Sequence, residues 1–255
     1  MDSKEMCAMF EMIDKKAAEL KALNPSNPQF KKWVDQSNLW YWLYFDLTMQ
    51  GIKVTKRQVA DVLAGQLLED APMEVYGYIH RFAAIYRDMK SYLLMKSTLT
   101  LDMLDRWCGE LFPETDEEGS PKPVQRTSTS AIYEWGHIPP HFREIKEHMV
   151  SLLRACDRQR FEGNYTERLT QLYAGILYIY PYGDRSPIMA GVALIYSLLE
   201  EGLPVPALSV SEQEYNSLVA EYMEHGNFEP LKNMLERSIY NRLEAVYQAA
   251  LAAEE

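Results

Sequence analysis

Between Phe30 and Met49 the chain carries six aromatic residues, Trp33, Trp40, Tyr41, Trp42, Tyr44 and Phe45, on a stretch free of proline and glycine. Such a stretch reads as one helix. Rings on nearly every side of a helix demand burial all round, which places it in the middle of a helical bundle. The flanking segments have the same helical grain. Met6, Phe10, Ile13, Ala17 and Leu20 recur at three- and four-residue spacing, an apolar stripe on an opening helix. Asn24-Pro25-Ser26-Asn27-Pro28 ends it, and Gly51 ends the aromatic helix. Thr55-Lys56-Arg57-Gln58 has the capping-box arrangement and opens a short helix reaching about Gly65. Pro72 starts a long helix whose stripe runs through Val75, Tyr78, Ile79, Phe82, Ile85, Tyr86, Met89 and Leu93. Another helix runs from Thr100 to Phe112. Helices resume at Pro139-Pro140, near Thr166, after Pro187, after Ser211 (a second capping-box pattern) and after Asn227.

The pattern changes only between Pro113 and Gly136. An acidic run, Glu114 to Glu118, leads into Gly119-Ser120-Pro121-Lys122-Pro123, and Thr127 to Trp135 is rich in β-formers. That last piece is expected as a small β-hairpin or irregular flap, about residues 124–137. No helix pair recurs at a fixed period, which argues against a solenoid. The expected class is all-α with one minor β element. Residues 1–66 form an N-terminal helical segment packed on a core of residues 67–255.

Charge narrows the partners. The 255 residues hold 26 Lys+Arg against 37 Asp+Glu, a formal net charge of −11. Phosphate backbones and anionic membrane surfaces both require clustered cations, so neither a nucleic acid nor a membrane is expected. Arg154, Arg158 and Arg160 read as the cationic last turn of a helix. No apolar window approaches the ~20 residues needed to cross a bilayer. Cys7, Cys108 and Cys156 are odd in number and widely spaced, forming neither a disulfide framework nor a zinc knuckle. A reducing, cytoplasmic site of folding is expected, which leaves room for a secreted effector.

Chemistry-bearing motifs are few. His137 and His141 are separated by two prolines, so they cannot share a helix face, and a metal site there is not expected. No phosphate-binding glycine loop, dinucleotide fingerprint or nucleophile elbow occurs. One segment stands out: Tyr180-Pro181-Tyr182-Gly183-Asp184-Arg185-Ser186-Pro187, joining two apolar helices. The N-terminus of a helix offers free N–H groups and a positive dipole end to an anion. Asp184, Ser186 and Pro187 are equally suited to capping a helix start, so the loop alone supports either reading.

Laid gap-free on Tyr180 to Gly191, this segment resembles the defining loop of the Fic family, His-Pro-Phe-x-Asp/Glu-Gly-Asn-Gly-Arg-x-x-Arg, with Gly202-Leu203-Pro204 at the family's glycine-proline exit. Tyr44 to Thr55 resembles the family's N-terminal segment, and Leu99 to Phe112 the helix before the flap. Arg126 to Met149 resembles the flap and the helix after it. Glu212 to Leu235, with Gly226-Asn227-Phe228-Glu229-Pro230-Leu231, resembles the tail. The resemblance spans Tyr41 to Ile239 and implies a Fido-type helical bundle.

It also implies which parts of the family's nucleotidyl transfer are missing. The histidine that acts as general base is Tyr180, whose ordinary pKa of ~10 makes it a poor base near neutrality. Asp184 remains at the position that holds Mg²⁺. The Gly-Asn-Gly run that wraps the phosphates is Arg185-Ser186-Pro187, and proline removes an N–H donor. The two arginine positions hold Ile188 and Gly191. In the inhibitory segment that one class of the family carries, the equivalents are Asp46, Gln50 and Gly51, so the restraining glutamate is absent.

The resemblance therefore implies a degenerate Fic-family protein, catalytically inactive, serving as a protein-binding or regulatory module, with no cofactor. A protein or peptide partner is expected at the flap, anchored by Tyr133 and Trp135, although Trp135 has the alternative role of covering the vacated cleft. The competing expectation is a transferase that uses Asp184, Arg185 and Ser186 on a nucleotide or other phosphorylated donor, with Mg²⁺ and ATP required only in that case. The oligomeric state is left open by the sequence, a homodimer included.

Overall fold

The computed structural model describes residues 3–23, 27–67, 72–132, 135–159, 164–208 and 210–253. They form ten α-helices: α1 (Ser3–Leu23), α2 (Pro28–Met49), α3 (Lys56–Leu63), α4 (Met73–Leu94), α5 (Leu101–Leu111), α6 (Ile145–Gln159), α7 (Tyr165–Ile179), α8 (Ser186–Glu200), α9 (Glu212–His225) and α10 (Glu229–Ala252). Local chemistry sets the ends. Asn27 accepts from the N–H groups of Gln29 and Phe30 to open α2, and Thr55 and Gln58 form the reciprocal capping box of α3. At α9 only one half of the expected box forms, with Ser211 accepting from the Glu214 N–H.

The helix at the centre is α8. From Met189 to Leu198 every residue is buried, and α4, α5 and α7 pack around it. This corrects the expectation drawn from the aromatic stretch. On α2, Trp42 and Phe45 are buried, whereas Trp33, Trp40, Tyr41 and Tyr44 are partly open. Rings on several faces of α2 reflect contacts on two sides: Trp42 packs toward α8, and Tyr41 lies under the guanidinium of Arg242 on α10 at 4.6 Å. The continuous small-and-apolar run Met189-Ala190-Gly191-Val192-Ala193-Leu194 was the truer mark of a central helix.

α1 lies along α10, with Ile13 fully buried and Phe10 edge-on to Tyr165; Met6 of the expected stripe lies outside the described side chains. Gly175 lets α7 approach α6, since a Cβ there would sit 2.7 Å from Leu152. Cys108 and Cys156 are free and buried. Burial pushes their thiols up to about 12 and about 11, so neither is a ready nucleophile. The Cys7 side chain and Arg160 lie outside what is described.

Of the β-hairpin or irregular flap expected here, the described residues show isolated bridges alone. Among the described residues the stretch between α5 and α6 contains two isolated bridges, Thr115 with Pro121 and Ile132 with His137. Side-chain anchoring replaces strand pairing. His137 is buried, with Nε2 2.8 Å from the Tyr178 carbonyl. Arg126 donates from Nε to the Tyr180 carbonyl (2.9 Å), from Nη1 to the Ser128 carbonyl (2.8 Å) and from Nη2 to the Pro140 carbonyl, while its backbone N–H reaches Pro181 O at 2.9 Å.

Candidate functional site

Five pieces of chain meet at one cleft. From α2 come Trp42, Asp46, Met49 and Gln50, which share a helix face by their spacing of four, seven and eight residues. From α9 come Glu212, Tyr215 and Asn216. The loop and first turn of α8 supply Asp184, Pro187 and Ile188, with Tyr173 on α7 and Trp135 from the flap completing the wall. The cavity is about 180 Å³. Pockets that hold nucleotide-sized ligands usually span roughly 300–1,000 Å³.

The loop itself is held by internal bonds. Tyr180 ends α7 in the left-handed region (φ 51°, ψ 51°), a conformation that costs a bulky residue energy and that recurs at functional turns. Its hydroxyl donates to Asp184 Oδ1 at 3.1 Å. The buried Tyr182 donates to Asp105 Oδ1 at 2.9 Å, and Gln125 donates to both oxygens of the same carboxylate. Burial raises both Tyr182 and Asp105 from their ordinary pKa values.

Of the residues singled out in the sequence, the structure brings Asp184, Asp46, Gln50 and Trp135 together. Gly51 ends α2 at positive φ and stays outside the cleft. Two of the anion-binding candidates have partners outside the cleft. Ser186 is fully buried and its hydroxyl accepts from the Tyr182 N–H (2.9 Å), so it serves the turn. Arg185 pairs with Glu114 and lies 5.0 Å over the Phe112 ring, lining with Lys122 and Arg126 a second hollow that shares Asp184 with the cleft. For Trp135 the sequence left two roles open, partner anchor or cover of the cleft. It is 5% exposed, meets Tyr180 edge-on at 5.8 Å and donates from Nε1 to Asn216 Oδ1 at 3.1 Å, so it roofs the cleft. Tyr133 lies outside the described residues.

Sequence reasoning missed Trp42. A Cβ on Gly191 would stand 2.3 Å from Trp42 Cζ2, so the indole occupies the space into which any side chain at 191 would grow. The signal was available: Trp42 precedes Asp46 and Gln50 by four and eight residues. It also missed Tyr78, whose hydroxyl donates to the buried Asp46. Burial pushes Asp46 up to about 7, against the opposing effect of hydrogen bonds from Tyr78 and Gln50.

No family model matches this sequence. No curated relative matches it either. Solved structures do match. A Fic-domain-containing signalling protein from Bacteroides thetaiotaomicron is similar at 14% identity, with 94% of this chain and 98% of that one covered and a TM-score of 0.77. Fic-1 from C. elegans matches at 14% identity over 99% of this chain and 76% of that one, with a TM-score of 0.80. A Fic family protein from Desulfovibrio desulfuricans matches at 15% identity over 93% and 74%, with a TM-score of 0.72. The chain has the fold of Fic-domain proteins.

Proposed function

We propose that this chain is a Fic-family member that does not transfer AMP and acts by binding at its remodelled cleft. One observation carries the reading: no cationic residue lines the cleft among the described residues, and Trp42 fills the space beside Gly191. Phosphoryl-type transfer depends on fixed cations and backbone donors aimed at developing negative charge. Here Ile188 and Gly191 stand at the resemblance's two arginine positions, Pro187 offers no N–H, and Arg185 is committed to Glu114. Asp184 is a single carboxylate already bonded by Tyr180, and no group of three metal-ligating side chains occurs among the described residues. These residues do not fit a magnesium–nucleotide complex, so no step through one is derived.

The competing reading, a transferase using another phosphorylated donor, is less favoured in this cleft, because a phosphate there would face Asp46, Asp184 and Glu212, whereas the cations Lys122, Arg126 and Arg185 line the adjoining hollow that shares Asp184. An extended peptide adding to the flap edge is also less favoured, since Trp135 is turned inward. The test is thermal unfolding with ATP and other nucleoside triphosphates, with and without Mg²⁺. A ligand at 100 times its dissociation constant adds about 2.7 kcal/mol. We expect no shift and no self-AMPylation. A shift that Asp184→Ala abolishes contradicts the proposal.

A further inference from the structure

Away from the cleft, the start of α7 packs on α10 through buried polar groups. Glu236 of α10 is fully buried, and Thr166 in the first turn of α7 is 1% exposed. Thr166 Oγ1 lies 2.5 Å from Glu236 Oε1 and 2.6 Å from Asn164 Oδ1. Asn164 caps α7. The same Oδ1 accepts from the N–H groups of Thr166 (2.9 Å) and Glu167 (3.3 Å), which identifies that atom as the amide oxygen. A threonine hydroxyl carries one proton. It cannot donate to two acceptors at once, so one of the two contacts needs a proton from the other side. Asn164 Oδ1 has none to give. A protonated Glu236 carboxyl has one, and both short contacts are then hydrogen bonds.

The surroundings favour the neutral acid. No ion pair among the described residues includes Glu236. Lys232, one turn back on α10, is 3.7 Å from Glu229 Oε2, and Arg168 turns to Glu200 and Glu201. Glu236 Oε2 has no hydrogen-bond partner among the described residues. A buried carboxylate oxygen without a donor is costly, whereas the carbonyl oxygen of a neutral acid loses less. Burial raises the Glu236 carboxyl above its ordinary range, against the Thr166 hydrogen bond and the charge of Lys232. Glu229 on α10 and Glu167 on α7 push it the same way as burial. Tyr165 stands beside them, its hydroxyl raised by burial, by Asp14 of α1, by Glu201 after α8 and by Glu236.

We propose that Glu236 is held as a neutral carboxylic acid donating to Thr166, which donates to Asn164, a proton-dependent lock between α10 and the capped start of α7. Ionisation of Glu236 removes the proton on which the relay depends. Because the folded value is raised, the lock is complete below the ordinary glutamate value of about 4.3 and is lost as pH rises through the folded value. Difference infrared spectroscopy on the full chain, grown with carbon-13-labelled glutamate, tests it. The label separates glutamate carboxyls from aspartates, Asp46 included. A protonated-carboxyl band from glutamate is expected to persist at pH 6 and to vanish in Glu236→Gln. Melting of the same two proteins gives a second readout. The glutamine amide donates to Thr166 as the acid does. Glu236→Gln is therefore expected to match the unaltered protein within about 1 °C at pH 5 and to melt about 2–4 °C higher at pH 8. Absence of the band from the unaltered protein at pH 6 overturns the proposal. So does an equal loss of melting temperature in Glu236→Gln at both pH values, the result expected of an ionised Glu236 held by Lys232.

Discussion

At the scale of single residues, Gly191 and Trp42 act as a pair. A Cβ at 191 cannot be accommodated while the indole stays where it is, and the contact is with a rigid ring. Gly191→Ala is expected to destabilise the protein by about 1–3 kcal/mol, as overpacking does. Trp42→Ala alone should cost about 3–5 kcal/mol. The double variant should cost less than the sum, because the cavity opened by one change receives the methyl added by the other. Urea unfolding of the four proteins gives that coupling. Asp46 provides a second residue-scale prediction. Burial raises its carboxyl from the ordinary aspartate value of about 3.9 to about 7. Between those values the folded state binds the proton and the unfolded state does not, so stability falls as pH rises through that window. By pH 8 the cost reaches a few kcal/mol in order of magnitude. Asp46→Asn, neutral at all pH, should therefore raise the melting temperature at pH 8 and change it little at pH 4. Equal gains at both would show that Asp46 is not burdened by ionisation.

At the scale of elements, the helices were legible and the flap was not. Proline, glycine and capping side chains mark the ends of α2, α3 and α5 directly, because those ends are fixed by bonds between near neighbours. The stretch from Thr127 to Ile132 has β-forming composition but, among the described residues, pairs only through the single Ile132–His137 bridge, and much of its anchoring comes from contacts distant in sequence. Arg126 is the main one, tying the flap to Ile179 and Tyr180 at the end of α7 and to Pro140 ahead of α6. Burial lowers its pKa from the usual guanidinium value, yet it stays charged and its donors are spent on carbonyls. Arg126→Ala should loosen this region selectively. Hydrogen exchange is expected to rise about tenfold or more at Ile132 and Trp135 to His137, with α7 and α8 unchanged. Uniform acceleration across all helices would contradict a local role. The direction of Trp135 was likewise illegible, since its partners Tyr180 and Asn216 come from other parts of the chain.

At the scale of the whole molecule, the order of helices and the place of the loop between α7 and α8 were legible in the sequence, whereas the central position of α8 was not. The contents of the cleft could be read only in part. Asp46, Gln50 and Asp184 were found because they occupy motif positions. Glu212, Tyr215 and Asn216 come together because α9 crosses the mouth of the cleft, and α2 delivers Trp42 to the same space. A scaffold shared with Fic-domain proteins fixes where a ligand would sit but not its charge, which follows from the side chains. Here those side chains are aromatic and acidic. Calorimetry with Mg·ATP is the most direct measurement. The account predicts no saturable heat at millimolar nucleotide, with or without Mg²⁺. A saturable isotherm with a micromolar dissociation constant, lost in Asp184→Ala, would contradict it.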